Sequence, residues 1–570
     1  MTGPNKNTKR QEALDPIGLE ILFNALRSVA DEAYVALMRS AYSTNIKERH
    51  DHSTAFVDPR GRLVVQAENA LPIHLSSMIG LMECLLAKFP PELIDEGDIF
   101  VANDPHVAGG SHLPDINLAM PIFVEGELLG FMCNIAHHAD VGGMAPGSIA
   151  GNMSEIYQEG LRIPVIKLFR KGGLQTDIFD LLLLNVRLAD ERRGDYNAQI
   201  AASRLGERRL KEVALGYSTD VLFAAFDEII SRTERRLRDA VALVPDGAYH
   251  FDDVMDDDGM GTLDIPLKLV VEIKGDRIRF DFTGTSPQVT GNINVPFNAT
   301  TAAVCYALKA LLDPEVPNNQ GVIDVCEIEA PRGSILNCVS PAPVASRALT
   351  CQRVCDMIIG ALAEALPEAA VGASNGSNTA AVFAGTHSET GEDYVYLETL
   401  GGGFGGRFDH DGKDGVQVHT TNTSNLPVEA IEMEYPLLVE RYELIPDSGG
   451  AGRFRGGLAL RRTIRPVGGN CVFAGRGERI RHRPWGIFGA SSGASGRFTK
   501  VDAEGNETPL GAKPANLTIT PEMCVVVETP GAGGYGPAAE RSEELLREDR
   551  ESGKFSDAYI IENYGGNAKD

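Results

Sequence analysis

The sequence has no run of lysine and arginine, no C-x-x-C pair, no P-loop and no apolar stretch long enough to cross a bilayer. Each absence excludes a class of function. With 53 basic residues against 79 acidic ones, the formal charge is −26, the wrong sign for nucleic acid or an anionic membrane surface as the main partner. The aliphatic run Leu181–Leu184 falls far short of the roughly 20 apolar residues a helical span requires. Nine cysteines, odd in number and scattered, read as thiols of a reduced, cytoplasmic protein rather than as a disulfide framework. The first fifteen residues are polar and show no secretory-signal pattern. Without G-x-x-x-x-G-K-[ST], no nucleotide site is announced.

What is present fits a soluble α+β chain of several domains with mixed or antiparallel sheets. A length of 570 residues exceeds what one core supports, and 43% hydrophobic with 23% charged residues is ordinary for a globular protein. Residues 1–14 read as a disordered lead, 15–245 as a metal-binding α/β domain and 246–370 as an α+β middle domain. Residues 371–540 read as a Gly-rich, β-containing domain and 541–570 as a surface helix and tail. Asp15-Pro16 is a cap followed by a first-turn proline, which predicts a helix to about Tyr42. A hairpin turning at Asp58–Gly61, a helix over Leu75–Lys88 and a helical region from about 177 to 243 follow. In that region Asp180, Asn185, Arg187, Arg192, Arg193 and Asp195 read as a solvated face. The acidic run Asp252–Asp258 lacks the spacing and closing Glu of an EF-hand and reads as a surface hairpin loop. Cys351 and Cys355, at i, i+4 on a helix, read as packed thiols. Gly401–Gly406 and Gly531–Gly536 both match G-x-G-x-x-G. Neither opens an apolar helix, so both read as tight loops lining a site and open to close approach by a substrate, not as dinucleotide fingerprints.

Histidine is unevenly spread. Seven of twelve (His50, His52, His74, His106, His112, His137 and His138) fall between residues 50 and 138. The stretch NDPHVAGGSHLPDINLAMPIFVEGELLGFMCNIAHHADVGG, Asn103–Gly143, holds two clusters, His106/His112/Asp115 and His137/His138/Asp140, on either side of a predicted hairpin. Strands Ile116–Val124 and Leu128–Ile135, turning at Glu125-Gly126-Glu127, return the second cluster to the end of the sheet where the first one starts. Imidazoles beside carboxylates suit zinc, manganese or iron better than calcium, because imidazole is the softer donor. Asp51, at the start of another strand, is a further carboxylate for such a site.

Segments in order along the chain resemble the hydantoinase B/oxoprolinase family: ERHDHSTA, GDIFVANDPHVAGGSHLPDI, NIAHHADVGG, NVRLADERRGDYNAQIAA, DFTGTSPQVTGNINVP, GGGFGGRFDHDGKDG, EMEYPLLVERYELIPDSGGAGRFRGG, PWGIFG and TPGAGGYG. The resemblance runs from about residue 48 to 536. It implies a subunit of an ATP-dependent hydrolase that opens hydantoin, lactam or 5-oxoproline rings. It also implies an A-type partner that binds ATP with magnesium, in a hetero-oligomer with two or more copies of each subunit. Carried over residue by residue, the divalent-metal ligands are Asp51, His112, Asp115 and His137, and His106 and Asp140 fall to loop or supporting roles. His138 and Glu48 become the candidates for proton transfer. A subunit of an ATP-dependent ketone carboxylase is the alternative, and a non-catalytic scaffold for an ATPase subunit is a third reading.

Overall fold

The computed structural model describes residues 14–565, so the expected lead over 1–14 lies outside the described residues except for Leu14, as does the end of the expected tail. The fold is α+β: among the described residues it has thirteen α-helices and four sheets, mostly antiparallel. The first helix, Pro16–Ser40, starts where its cap predicts, the Asp15 carboxylate accepting from the Gly18 amide at 2.6 Å.

The first sheet positions the candidate site. Its strands are β1 (His52–Val57), β2 (Leu63–Gln66), β3 (Ile99–Ala102), β4 (Asp115–Val124), β5 (Glu127–His137), β6 (Ile166–Arg170) and β7 (Gly173–Leu174), in the order β2-β1-β5-β4-β3-β6-β7. Every residue of β1 is buried, because helices cover both faces. Phe56 packs toward Pro16–Ser40 and the helix Thr219–Val241, while Ala55 and Val57 pack toward the helix Leu75–Lys88. That two-sided burial is why the strand lacks the apolar–polar alternation of a half-exposed sheet. Between β4 and β5, Glu125 and Gly126 both take positive φ (54° and 85°), as a tight two-residue hairpin turn requires.

A second sheet, ordered β11-β10-β9-β8, is built from β8 (Gly247–Asp257), β9 (Leu263–Lys274), β10 (Arg277–Asp281) and β11 (Cys326–Glu329). One hydrophobic core runs from Ala55 to Val371, joining Leu75–Lys88, this sheet and the helices Phe297–Leu312 and Arg347–Leu362. It takes residues from both sides of position 245. The remaining two sheets contain Ala380–Thr386, Asp393–Thr399, Cys471–Arg476 and Leu517–Ile519 in one, and Leu437–Leu444, Leu460–Pro466, Arg497–Val501, Glu507–Leu510 and Cys524–Glu528 in the other. No described helix is long and apolar enough to cross a membrane.

Three sequence expectations change. The acidic run is no surface loop: Asp256 and Asp258 are buried, and Asp256 accepts from the amides of Ile480, Arg481 and His482 at 2.6–3.0 Å. The charge pattern over 180–195 is only partly solvated. Asp180, Asn185 and Arg193 are exposed, but Arg192 and Asp195 are buried, and Asp195 accepts from the amides of Tyr42 and Ser43. The Gly-rich loops pack on one another rather than framing an open site. A Cβ on Gly405 would stand 1.8 Å from the Gly372 carbonyl oxygen, so only glycine fits. Cys351 and Cys355 are packed thiols, as expected.

Candidate metal centre

The β4–β5 register places Asp115 directly opposite His137, and such cross-strand neighbours lie on one face. His112 arrives from the loop before β4, where the Asp115 amide donates to the His112 carbonyl at 3.2 Å. Gly109 seats that loop: at φ 72° it lies so close to the helix Leu75–Lys88 that a Cβ would be 2.0 Å from the Gly80 backbone. One potential ligand atom from each of His112, Asp115 and His137 lies within 4.8 Å of the others, and all three residues are buried. The residue just before β1 is tied in as well, since the His137 amide donates to the Asp51 carbonyl at 3.0 Å.

The hydrogen bonds leave particular atoms free. Asp115 Oδ2 accepts from Ser111 Oγ at 2.8 Å and from Arg347 at 2.7 Å, and Arg347 Nε also donates to Ser111 at 3.0 Å. Asp115 Oδ1 has no hydrogen-bond partner, nor has His112 Nε2, and the two are 3.1 Å apart. His112 Nδ1 faces the Ala345 carbonyl at 3.4 Å, which makes Nδ1 the protonated nitrogen and leaves a lone pair on Nε2. A buried lone pair facing a buried carboxylate oxygen is costly without a shared cation. The donor set therefore fits a divalent ion. Asn45 donates to His137 Nδ1 and to its carbonyl, both at 2.8 Å, and Arg49 donates to the Asn45 oxygen.

Protonation agrees with this geometry. Burial, with Arg347 nearby, pushes the His112 pKa down to about 4, and burial with His112 beside it holds His137 well below the usual range. Both are neutral at pH 7, the form that binds metal. His112 and Arg347, opposing the effect of burial, hold the Asp115 carboxyl well below the usual carboxylate range.

Asp51 stands in the wall of the same small cavity of about 30 Å³, its oxygens 3.9 Å from Arg49 and from His74. Its pKa is raised by burial. The structure places the other sequence candidates elsewhere. His138 follows His137 but projects to the opposite side, its Nε2 3.0 Å from Gln199 and its ring against Tyr196. Glu48 is partly exposed, 3.7 Å from Lys47. His106 bonds the Ala342 carbonyl, and Asp140 accepts from Gly142, Gly147 and Arg187.

Four lining residues were missed by sequence reasoning: His74, Arg49, Arg347 and Arg476. His74 belongs to the histidine concentration, and its Nε2 lies 3.7 Å from Asp115. Arg49 sits two residues before Asp51. Arg347 and Arg476 come from distant positions and carry no local signal.

Comparison with known proteins is consistent over most of the chain. The family model described as hydantoinase B/oxoprolinase matches residues 15–538. The B-type chain of a putative D-/L-hydantoinase from Pseudomonas sp. (strain NS671) is 32% identical, over 97% of this chain and 95% of that protein. 5-oxoprolinase 1 of Arabidopsis thaliana is 34% identical over 92% of this chain, which spans only 42% of that longer protein. A chain of the crystal structure of the ATP-dependent caprolactamase from Pseudomonas jessenii superposes with a TM-score of 0.92 at 29% identity, covering 98% of both chains. The chain belongs to the hydantoinase B/oxoprolinase family.

Proposed function

We propose that this chain is the ring-opening subunit of an ATP-dependent cyclic-amide hydrolase, with a divalent ion held by His112, Asp115, His137 and Asp51. The observation that carries the reading is the buried, unpartnered pair of His112 Nε2 and Asp115 Oδ1. The relatives support the reaction class: one is named as part of a hydantoinase, one as a 5-oxoprolinase, and the superposed structure is an ATP-dependent caprolactamase. A ring amide is a poor electrophile, and phosphorylation of its oxygen on an A-type partner makes an imidate whose carbon water can attack. The ring C–N bond then breaks, the nitrogen leaves as the amine, and hydrolysis of the acyl phosphate releases the carboxylate and phosphate. Zinc, manganese or iron suits the mixed imidazole and carboxylate donors and supplies the Lewis acidity that makes water nucleophilic at neutral pH.

The chain's own residues do the rest. Arg347 and Ser111 fix Asp115 so that one oxygen faces the cavity. The Ala345 carbonyl sets the His112 tautomer. His74, with Ser53 Oγ 2.8 Å from its Nδ1 and its Nε2 facing both Asp51 and Asp115, is placed to move a proton at Nε2. That geometry favours His74 over His138 or Glu48. With the A-type partner and ATP present, His112→Ala and His137→Ala are expected to lose bound metal and ring-opening turnover together. Full metal content and turnover in both variants would sink the assignment.

A further inference from the structure

The charges around the small cavity do not balance. Arg49, Arg347 and Arg476 all line it and are all buried. Arg347 pairs with Asp115 at 2.7 Å, and Arg49 faces Asp51 at 3.9 Å. Arg476 is different: its hydrogen bond goes to the Ala345 carbonyl at 2.7 Å, and no described carboxylate pairs with it. The Nε–H groups of Arg476 and Arg49 are buried and have no acceptor. Glu159 is the next acid, its Oε1 accepting from the amides of Val344 and Ala345 at 2.8 Å. Even counted as ionised, Glu159 with Asp51 and Asp115 only equals the three guanidiniums, so a divalent ion leaves the pocket in positive excess. An unpaired buried guanidinium is costly, and a ligand that brings negative charge removes the cost.

We propose that Arg476, together with Arg49 and Arg347, forms an oxyanion subsite beside the metal centre. Its ligand is the phosphoryl group of the activated ring or the carboxylate of the opened product. Guanidinium groups suit both, since their N–H forks match carboxylate and phosphate oxygens. The cavity has room for about one oxygen-sized group, so the ligand presents an oxygen inward while its body lies toward Thr421, the one lining residue that is not buried. The inference rests on the ring-opening reading above and extends it to the charge of the substrate.

Calorimetric titration of the metal-loaded full chain with inorganic phosphate and, separately, with acetate tests the subsite. Phosphate is expected to bind and to weaken about tenfold in Arg476→Gln, the loss of one charge-assisted hydrogen bond, with metal content unchanged. Arg476→Lys, which keeps the charge, is expected to recover part of the affinity and guards against misreading a misfolded Gln variant. Phosphate binding well ahead of acetate assigns the site to the phosphoryl group, and the reverse assigns it to the product carboxylate. Equal binding to wild type and Arg476→Gln, or no binding of either anion to the metal-loaded wild type, overturns the subsite. Metal analysis of the same samples separates the two ideas: anion binding through Arg476 in a chain that takes up no metal contradicts the metal reading and leaves the subsite standing.

Discussion

Two regions of this molecule bury charge, and they treat it in opposite ways. Where the second sheet meets the C-terminal loops, Arg353, Arg479, Lys513, Asp253, Asp356 and Glu478 form a lattice in which every charge has a counter-charge. Arg353 pairs with Asp253 at 2.9 Å and Glu478 at 3.3 Å, Arg479 with Asp356 at 2.7 Å, and Lys513 with Glu478 at 2.9 Å. His419 adds a contact to Asp356 at 3.1 Å. Only spare N–H groups of Arg353 and Arg479 lack acceptors. At the candidate metal centre the residue types are similar, yet His112 Nε2 and Asp115 Oδ1 face each other unpartnered, and Arg476 has no counter-charge. A closed lattice fastens elements together, whereas an open one is organised around something it binds.

The comparison is tested most severely at the lattice. Arg479→Ala should cost about 3–5 kcal/mol, because it strands Asp356 and weakens the environment of Asp253. Chemical denaturation reads that loss, and the fraction that remains folded should keep its full metal content. Loss of metal without loss of stability would reverse the roles assigned to the two regions.

Acid sharpens the contrast by a smaller amount. Burial holds the pKa of His52 down at about 3 and that of His138 at about 4, so both are neutral when folded. The unfolded chain takes up these protons near pH 6.5. Their contribution to stability is therefore complete above pH 6.5 and is lost as pH falls toward 4. The slope is about 1.4 kcal/mol per pH unit for each histidine. Denaturation midpoints at pH 7 and pH 5 measure it. His138→Gln, which can still hydrogen-bond with Gln199, should lower the slope by about 1.4 kcal/mol per pH unit, and an unchanged slope would contradict the buried neutral state.

Much of the site was legible before any coordinates, for a local reason. A tight turn at Glu125-Gly126 and two apolar strands determine that residues about twenty apart meet, and the register delivers Asp115 to His137. The helix start at Asp15-Pro16 and the strands flanking Asp58–Gly61 were legible in the same way. The arginines were not, because Arg347 and Arg476 reach the cavity only through packing of elements hundreds of residues apart. Charge is also silent about burial. Asp256 and Asp195 look in sequence like solvated acids, and each is instead enclosed by backbone amides from a distant segment. Glycine was ambiguous too, since the loops that looked able to admit a substrate admit each other's backbone.

The central claim is that His112, Asp115 and His137 enclose a cation. Anomalous diffraction from crystals grown with zinc or manganese, recorded above and below the metal's absorption edge, addresses it directly. The account predicts one strong peak bounded by His112 Nε2, Asp115 Oδ1 and the His137 ring, with Asp51 at its edge. No peak there, in crystals whose metal scatters elsewhere on the chain, would contradict it.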